Sequence, residues 1–324
     1  MRALVCKEYG DLDALRVEDV PAPAAGAGQV LIDVAAASVN FPDALIVQGK
    51  YQVKPPLPFI PGAELAGTIA AVGDGVDPSR VGTPVLAVPG RGAFAEQVVV
   101  TADAALSLDP SIDLATAAPL PLTYGTAYHA LLDRAQLQSG ETLLVLGAGG
   151  GIGLAAIELG KILGATVIAA ASSREKLDAA ASRGATHLVN YASEDLRARL
   201  KDLTGDRGVD VVCDPVGGAY TEAALRATGW RGRHLIIGFA AGDIPRIPLN
   251  LTLLKGSAIV GVFWGEFMRR EPQRAATELA QLVEWLREGR LNPLITARYP
   301  LENAGLALGA IYERKVTGKL LITI

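Results

Sequence analysis

The chain has 324 residues, half of them hydrophobic and one-fifth charged, so it is long enough to bury the cores of two domains. Its formal net charge of -4 gives no electrostatic reason to expect a nucleic-acid or anionic-membrane partner. No apolar stretch is long enough to span a bilayer without interruption, and the opening residues lack the apolar core of a signal peptide, so a cytoplasmic protein is expected.

Residues 1–8 read as a first strand. Further short strand candidates at 30–34, 65–72 and 93–100 lie between Pro- and Gly-rich turns, the grammar of a β-rich, barrel-like domain. From about Ala117 to Val260 strands and helices alternate, with strand-like runs at 143–146, 166–170, 187–190, 209–213 and 234–237. That alternation predicts a largely parallel sheet covered on both faces. Residues 273–287 and 301–312 read as amphipathic helices and 319–324 as a terminal strand that returns to the first domain. The expected fold class is α/β, with domains at 1–118 plus 261–324 and at 119–260. Cys6 and Cys213 both fall in strand-like runs, where buried thiols are expected rather than a disulfide.

The most specific stretch is the apolar run 143–146 followed by Gly147-Ala148-Gly149-Gly150-Gly151-Ile152-Gly153 and a helix-forming segment. This is strand, tight turn and helix, the layout of a dinucleotide-binding βαβ unit. Ala148, Gly150 and Gly153 fill the three places of a G-x-G-x-x-G fingerprint. Backbone can then approach a pyrophosphate at Gly150, and helix can pack on strand at Gly153. Gly151 and Ile152 would open the helix whose free N–H groups face the phosphates. At the end of the next strand, where an NAD site usually carries an acid for the ribose 2′-OH, the chain reads Ser172-Ser173-Arg174-Glu175-Lys176. No acid ends that strand. Ser172 and Ser173 offer hydroxyls, and Arg174 or Lys176 could reach a 2′-phosphate, so NADPH is the expected cofactor. Ser172 also reads as a helix cap, which is compatible with phosphate binding.

Six stretches together resemble the zinc-independent quinone oxidoreductases of the medium-chain dehydrogenase/reductase superfamily, a group that includes zeta-crystallin-like proteins. They are Ser38-Val39-Asn40-Phe41-Pro42-Asp43, Gln48-Gly49-Lys50-Tyr51, the run 55–64 ending in Pro61-Gly62-Ala63-Glu64, the run 122–128, the 148–153 turn, and Asp214-Pro215-Val216-Gly217-Gly218. The resemblance implies a GroES-like substrate domain beside a Rossmann doubly wound domain. It also implies a small-molecule quinone or enone substrate. Zinc-dependent relatives place Cys, His and Cys where Asn40, Ala63 and Leu122 stand, so no metal site is expected. The three histidines, His129, His187 and His234, read as packed or surface residues rather than ligands. Without a Lewis acid, hydride transfer needs an activated acceptor and a hydrogen-bond donor for its oxygen.

For that donor the candidates are the Asn40 amide and the Tyr51 phenol. Tyr51 either donates a proton, as the resemblance to enoyl-thioester reductases suggests, or shapes the pocket. Asn40 and Asp43 can instead stabilise a turn. The resemblance further implies cofactor contacts from Thr123, Thr126, Tyr191, Gly217 and Phe239, with Thr123 and Thr126 also readable as helix N-terminal threonines. Arg314 or Lys319 would reach the phosphates or stand as surface cations. The runs 244–251 and 258–263 are too apolar for a comfortable exposed edge; the resemblance implies that this edge pairs across a two-fold axis in a homodimer, the alternative being that the second domain of the same chain covers it. Two other functions stay open: an enoyl-thioester (enoyl-CoA) reductase, and a low-activity NADPH-binding structural or RNA-binding protein. The acidic balance and the lack of a basic, aromatic-laced patch weigh against RNA.

Overall fold

In the computed structural model, which describes residues 1–324, the chain opens with an antiparallel ribbon of β1 (Arg2–Val5) and β2 (Arg16–Asp19). It then enters β3 (Gln29–Val39), whose first residues alternate between buried and accessible and whose last four are all buried. Strand β3 lies inside a seven-stranded sheet and is paired along both edges. After α1 (Phe41–Val47) come β4 (Glu64–Val72), β5 (Pro84–Ala87), β6 (Gln97–Thr101), β7 (Ala105–Ser107) and the short α2 (Leu114–Ala117). Strand β6 is shorter than the expected 93–100. The backbone of Ala93 and Phe94 instead donates to Gly62 and Pro61, and Phe94 accepts from Leu4, so this stretch ties β1 to the 60–62 loop.

The middle of the chain runs α3 (Gly125–Tyr128), β8 (Thr142–Leu146), α4 (Gly151–Ile162), β9 (Thr166–Ala171), α5 (Arg174–Ser182), β10 (His187–Asn190) and α6 (Leu196–Thr204). It continues through β11 (Val209–Asp214), α7 (Ala219–Ala227), β12 (Thr228–Ile236), α8 (Asn250–Lys255), β13 (Ala258–Gly261) and α9 (Trp264–Arg270). Its six strands lie in the order β10-β9-β8-β11-β12-β13, every neighbouring pair parallel. This is the doubly wound Rossmann order, with its topological switch beside β8. The core-facing residues of β8, β9 and β11, among them Leu144, Leu146, Ile168 and Val212, are fully or nearly fully buried.

Helix α10 (Pro272–Arg287) leads to β14 (Ile295–Pro300), α11 (Ala304–Tyr312) and β15 (Lys319–Thr323). Strand β15 returns to pair antiparallel with the end of β3. The contacts divide the chain into unit 1, Met1–Leu122 with Leu279–Ile324, and unit 2, Thr123–Glu278. The second boundary therefore lies later than the expected 260/261. The cause is α9: a Cβ on Gly125 would stand 2.7 Å from the Trp264 ring, and His129 stacks on Phe267, so both aromatic residues pack with unit 2. The expected edge run 244–251 is not a strand either. The sheet edge is β13, with Ile259 40% exposed. No helix is long and apolar enough to cross a membrane.

Candidate active site

Register brings three distant residues together in unit 1. Ser38 on β3 faces Glu64 on β4, and Val39 faces Leu320 on β15, so Lys319 falls beside Asn40 and Glu64. The Asn40 amide donates to Glu64 Oε1 at 2.8 Å and to the Ser38 carbonyl at 3.3 Å. The Lys319 ammonium donates to Asn40 Oδ1 at 2.7 Å and to the Val39 carbonyl at 2.9 Å, with Glu64 Oε1 3.8 Å away. Glu64 Oε2 accepts the Leu122 N–H at 2.8 Å. Asp43, in the first turn of α1, accepts the Asn40 backbone N–H at 2.8 Å, the return arm of a capping box.

This arrangement corrects two expectations. Both protons of the Asn40 amide are engaged by Ser38 and Glu64, so it holds neighbouring side chains and has none free for a substrate oxygen. Lys319, expected on the surface or at the phosphates, is 5% exposed. No local pattern marks it, because its neighbours come from strands at the other end of the chain.

The electrostatics are those of two carboxylates sharing one ammonium in a dry site. Burial pushes the Glu64 carboxyl up, with Lys319, Asn40 and the Leu122 N–H pulling back less strongly. Burial pushes Asp43 up to about 7, opposed by the Asn40 N–H and reinforced by Glu64. Burial also lowers Lys319, while Glu64 and Asp43 favour its charge. A zinc ion here would put a second cation beside the ammonium, with an amide and Ala63 in place of thiolate and imidazole. The cluster borders a cavity of about 290 Å³, lined by Asp43, Ile46, Val53, Phe59, Pro61 and Arg91 among others. Tyr51 is half-buried, and burial followed by the Asp43 charge raises its phenol, which keeps the O–H protonated.

Unit 2 holds the glycine turn between β8 and α4. The left-handed residue is Gly147 (φ +62°), while Ala148 is fully buried, so Gly147 makes the tight bend that the fingerprint reading gave to Ala148. A side chain at Gly153 would strike the Gly147 carbonyl at 2.4 Å and Ala148 Cα at 2.8 Å, the close helix–strand packing expected of that place. A Cβ on Gly150 would meet nothing nearer than 3.4 Å. Gly150 is the N-cap of α4 and no side chain caps the helix, so Gly151 and Ile152 open it with their N–H groups available to an anion. At the end of β9, Ser172 is exposed, and Ser173 rather than Ser172 caps α5 by accepting the Lys176 N–H at 3.4 Å. Arg174 is exposed and pairs with Asp178 at 2.8 Å.

Two further loops border the carboxyl ends of these strands. Asp214 closes β11. Burial pushes its carboxyl up, but the His234 ring, the Gly217 N–H and the Thr221 hydroxyl outweigh that and hold it below its ordinary range. Its Oδ1 accepts the N–H groups of Val216 and Gly217 at 2.9 and 2.8 Å, fixing that loop. Phe239 folds over Gly217, where a Cβ would come within 2.8 Å of its ring. Tyr191 packs at a tilt against Tyr220 with centroids 4.1 Å apart, and burial with that neighbour pushes its phenol up to about 12. Thr123 is buried with a hydroxyl that has no hydrogen-bond partner, and Thr126 is half-buried. Arg314 is exposed in unit 1 at φ +59°.

Comparison with known proteins gives the same two parts. Residues 26–110 match the family described as alcohol dehydrogenase GroES-like domain, and residues 151–285 match the family described as zinc-binding dehydrogenase. The quinone oxidoreductase-like protein 2 homolog of Nematostella vectensis is 38% identical over 325 residues, covering 99% of this chain and 88% of its own length. The quinone oxidoreductase of Rattus norvegicus is 32% identical, covering 100% and 98%. The crystal structure of Escherichia coli quinone oxidoreductase complexed with NADPH superposes with a TM-score of 0.91 at 26% identity, over 100% of both chains.

Proposed function

Because the chain belongs to the quinone oxidoreductase family of the medium-chain dehydrogenase/reductases, we propose that it is an NADPH-dependent reductase of quinones or similar conjugated carbonyls, acting without a catalytic metal. The observation that supports this reading is the buried Asn40–Lys319–Glu64 network, in which the one carboxylate is already held by an amide and an ammonium.

The residues of unit 2 suit the cofactor. The turn at Gly147–Gly153 leaves room for a pyrophosphate at Gly150, and the orphan hydroxyl of buried Thr123 lacks an acceptor or donor that a nicotinamide or its ribose would give. Thr126, Gly217 and Phe239 join it on that side. Ser172, Ser173, Arg174, Lys176 and Tyr191 receive the adenosine 2′-phosphate. NADPH, when bound, supplies a hydride to the acceptor carbon.

The residues of unit 1 handle the acceptor. The cavity beside Asp43 offers the acceptor apolar walls in Ile46, Val53 and Phe59. Tyr51 donates its phenolic O–H to the oxygen on which negative charge develops, and Asp43, protonated below about pH 7, stands next to it as a source of that proton. Asn40 holds Glu64 and Lys319 in place. This tyrosine also supports an enoyl thioester as acceptor, the second reading.

The exposed edge β13, with Ile259, Leu253 and Phe263 at the surface, is proposed to pair with a second copy across a two-fold axis. Two buried free thiols suit a reducing cytoplasm. The test is NADPH consumption with a quinone, an enone, an enoyl thioester and a saturated ketone offered separately. Turnover of conjugated acceptors and none of the ketone is expected. Ketone reduction, or no turnover with any of the four, overturns the reading.

A further inference from the structure

Away from that site, in unit 2, His129, Asp133 and Glu278 converge: one donor atom from each lies within 4.8 Å of the others. His129 and Asp133 are one turn apart, on the π-helical segment His129–Arg134 that follows α3, and Glu278 projects from α10. His129 Nδ1 stands 3.7 Å from Asp133 Oδ2 and 3.7 Å from Glu278 Oε2. The His129 side chain is 4% exposed, and both its Nδ1 and Glu278 Oε2 are buried with no hydrogen-bond partner. Two orphaned polar atoms 3.7 Å apart call for a shared partner.

Geometry separates the possible occupants. At 3.7 Å the imidazole is too far from either carboxylate for a direct hydrogen bond. A water 2.8 Å from each member of such a pair would subtend an angle of about 83°, well short of tetrahedral. Across each His129–carboxylate pair an ion at 2.1–2.2 Å subtends about 115–125°, close to the tetrahedral or trigonal angles that zinc accepts, and the two carboxylate oxygens, within 4.8 Å of each other, would draw in to about 4.4 Å or less on binding. The surroundings are those of a held site. The ring is fixed by stacking on Phe267, with centroids 4.1 Å apart, and Arg274 pairs with the outer oxygen of Asp133 and orients it. Asp133 is 23% exposed, which leaves a way in from solvent and room for water as a fourth ligand.

We propose that His129, Asp133 and Glu278 bind one divalent transition-metal ion, with one nitrogen and two oxygen donors, and that it staples α10 to the π-helical turn. This revises the expectation that His129 is merely packed. It is independent of the proposed reaction, and its test uses binding rather than turnover.

The experiment is calorimetric titration of the chelator-stripped full chain with Zn²⁺, paired with thermal melts. One equivalent should bind with micromolar or tighter affinity and raise the melting temperature. Glu278→Gln keeps the shape of a partly accessible side chain and should weaken binding at least about tenfold, as should His129→Ala. His187→Ala, at a half-buried histidine outside the cluster, should leave it unchanged. Absence of a micromolar site, or a site untouched in both Glu278→Gln and His129→Ala, overturns the proposal. Should His129→Ala fail to fold, the Glu278→Gln result decides alone.

Discussion

Replacing Lys319 with Met removes the ammonium from a site that keeps two buried carboxyls. The side chain has similar length, so packing changes little. At 3.8 Å from Glu64, and with an effective dielectric of about 20, the lost attraction is about 4 kcal/mol. The Val39 carbonyl and Asn40 Oδ1 also lose their donor, at about 1 kcal/mol each. Against this, the ammonium no longer has to be dehydrated, so the net loss at pH 8 should be about 3–5 kcal/mol. At pH 5 the loss should shrink to about 2 kcal/mol. Burial already favours the protonated Glu64 carboxyl and removing the ammonium favours it further, so acid relieves the unpaired charge and leaves the orphan acceptors as the main cost.

The assay is hydrogen exchange across a urea series, read on peptides covering β3 and β15, which reports the stability of unit 1 directly. Adding Glu64→Gln to the Lys319→Met chain should recover part of the loss at pH 8, because the unpaired charge goes with it. A deficit under about 1 kcal/mol, or one equal at pH 5 and pH 8, would refute the reading of the cluster as a shared-charge network.

Three further outcomes are expected. Asp43 is raised from 3.8 to about 7, so the folded chain keeps a proton that the unfolded chain releases, and stability falls as pH rises between those values. Asp43→Asn should abolish that fall, of order a few kcal/mol, in the same exchange assay; a slope that persists assigns the proton elsewhere. Ser172→Asp places an acid at the end of β9, and nucleotide titration should show NADPH affinity reduced by at least about tenfold with NADH spared. Equal losses for both nucleotides would remove Ser172 from the 2′-phosphate site. Tyr51→Phe should cut steady-state turnover of an enone about 100-fold while nucleotide affinity holds, and an unchanged rate would leave Tyr51 a wall of the cavity.

Where one local signal decides the structure, the sequence was legible. The alternation of apolar runs and helical segments after Ala117 located β8 through β11 within a few residues and the end of β12, because parallel strands buried on both faces read as short apolar blocks. The polar start of β12 from Thr228 was missed. The glycine turn was found for the same reason, although the positive φ belongs to Gly147. Tertiary pairing was not legible. Ala93 and Phe94 carry strand-like side chains, yet their backbone hydrogen bonds go to Gly62, Pro61 and Leu4. Lys319 looks like an ordinary cation until the β3–β15 register sets it against Asn40. The Asn40 amide reads as a free donor until Glu64 and Ser38 take both of its protons. The signal that could have helped was charge balance: a buried Glu64 demands a cation, and Lys319, opening the returning strand, was one to try.

The central claim is metal-free hydride transfer from NADPH to a conjugated acceptor. It is tested most directly by giving the exhaustively chelated protein NADPH deuterated at the transferring carbon, with an enone, and locating the label in the product at a temperature well below the thermal transition. One deuterium per turnover on the product's β-carbon, at a rate that added zinc does not raise, is the predicted result. Loss of turnover on chelation with rescue by zinc, or a product without the label, would contradict it.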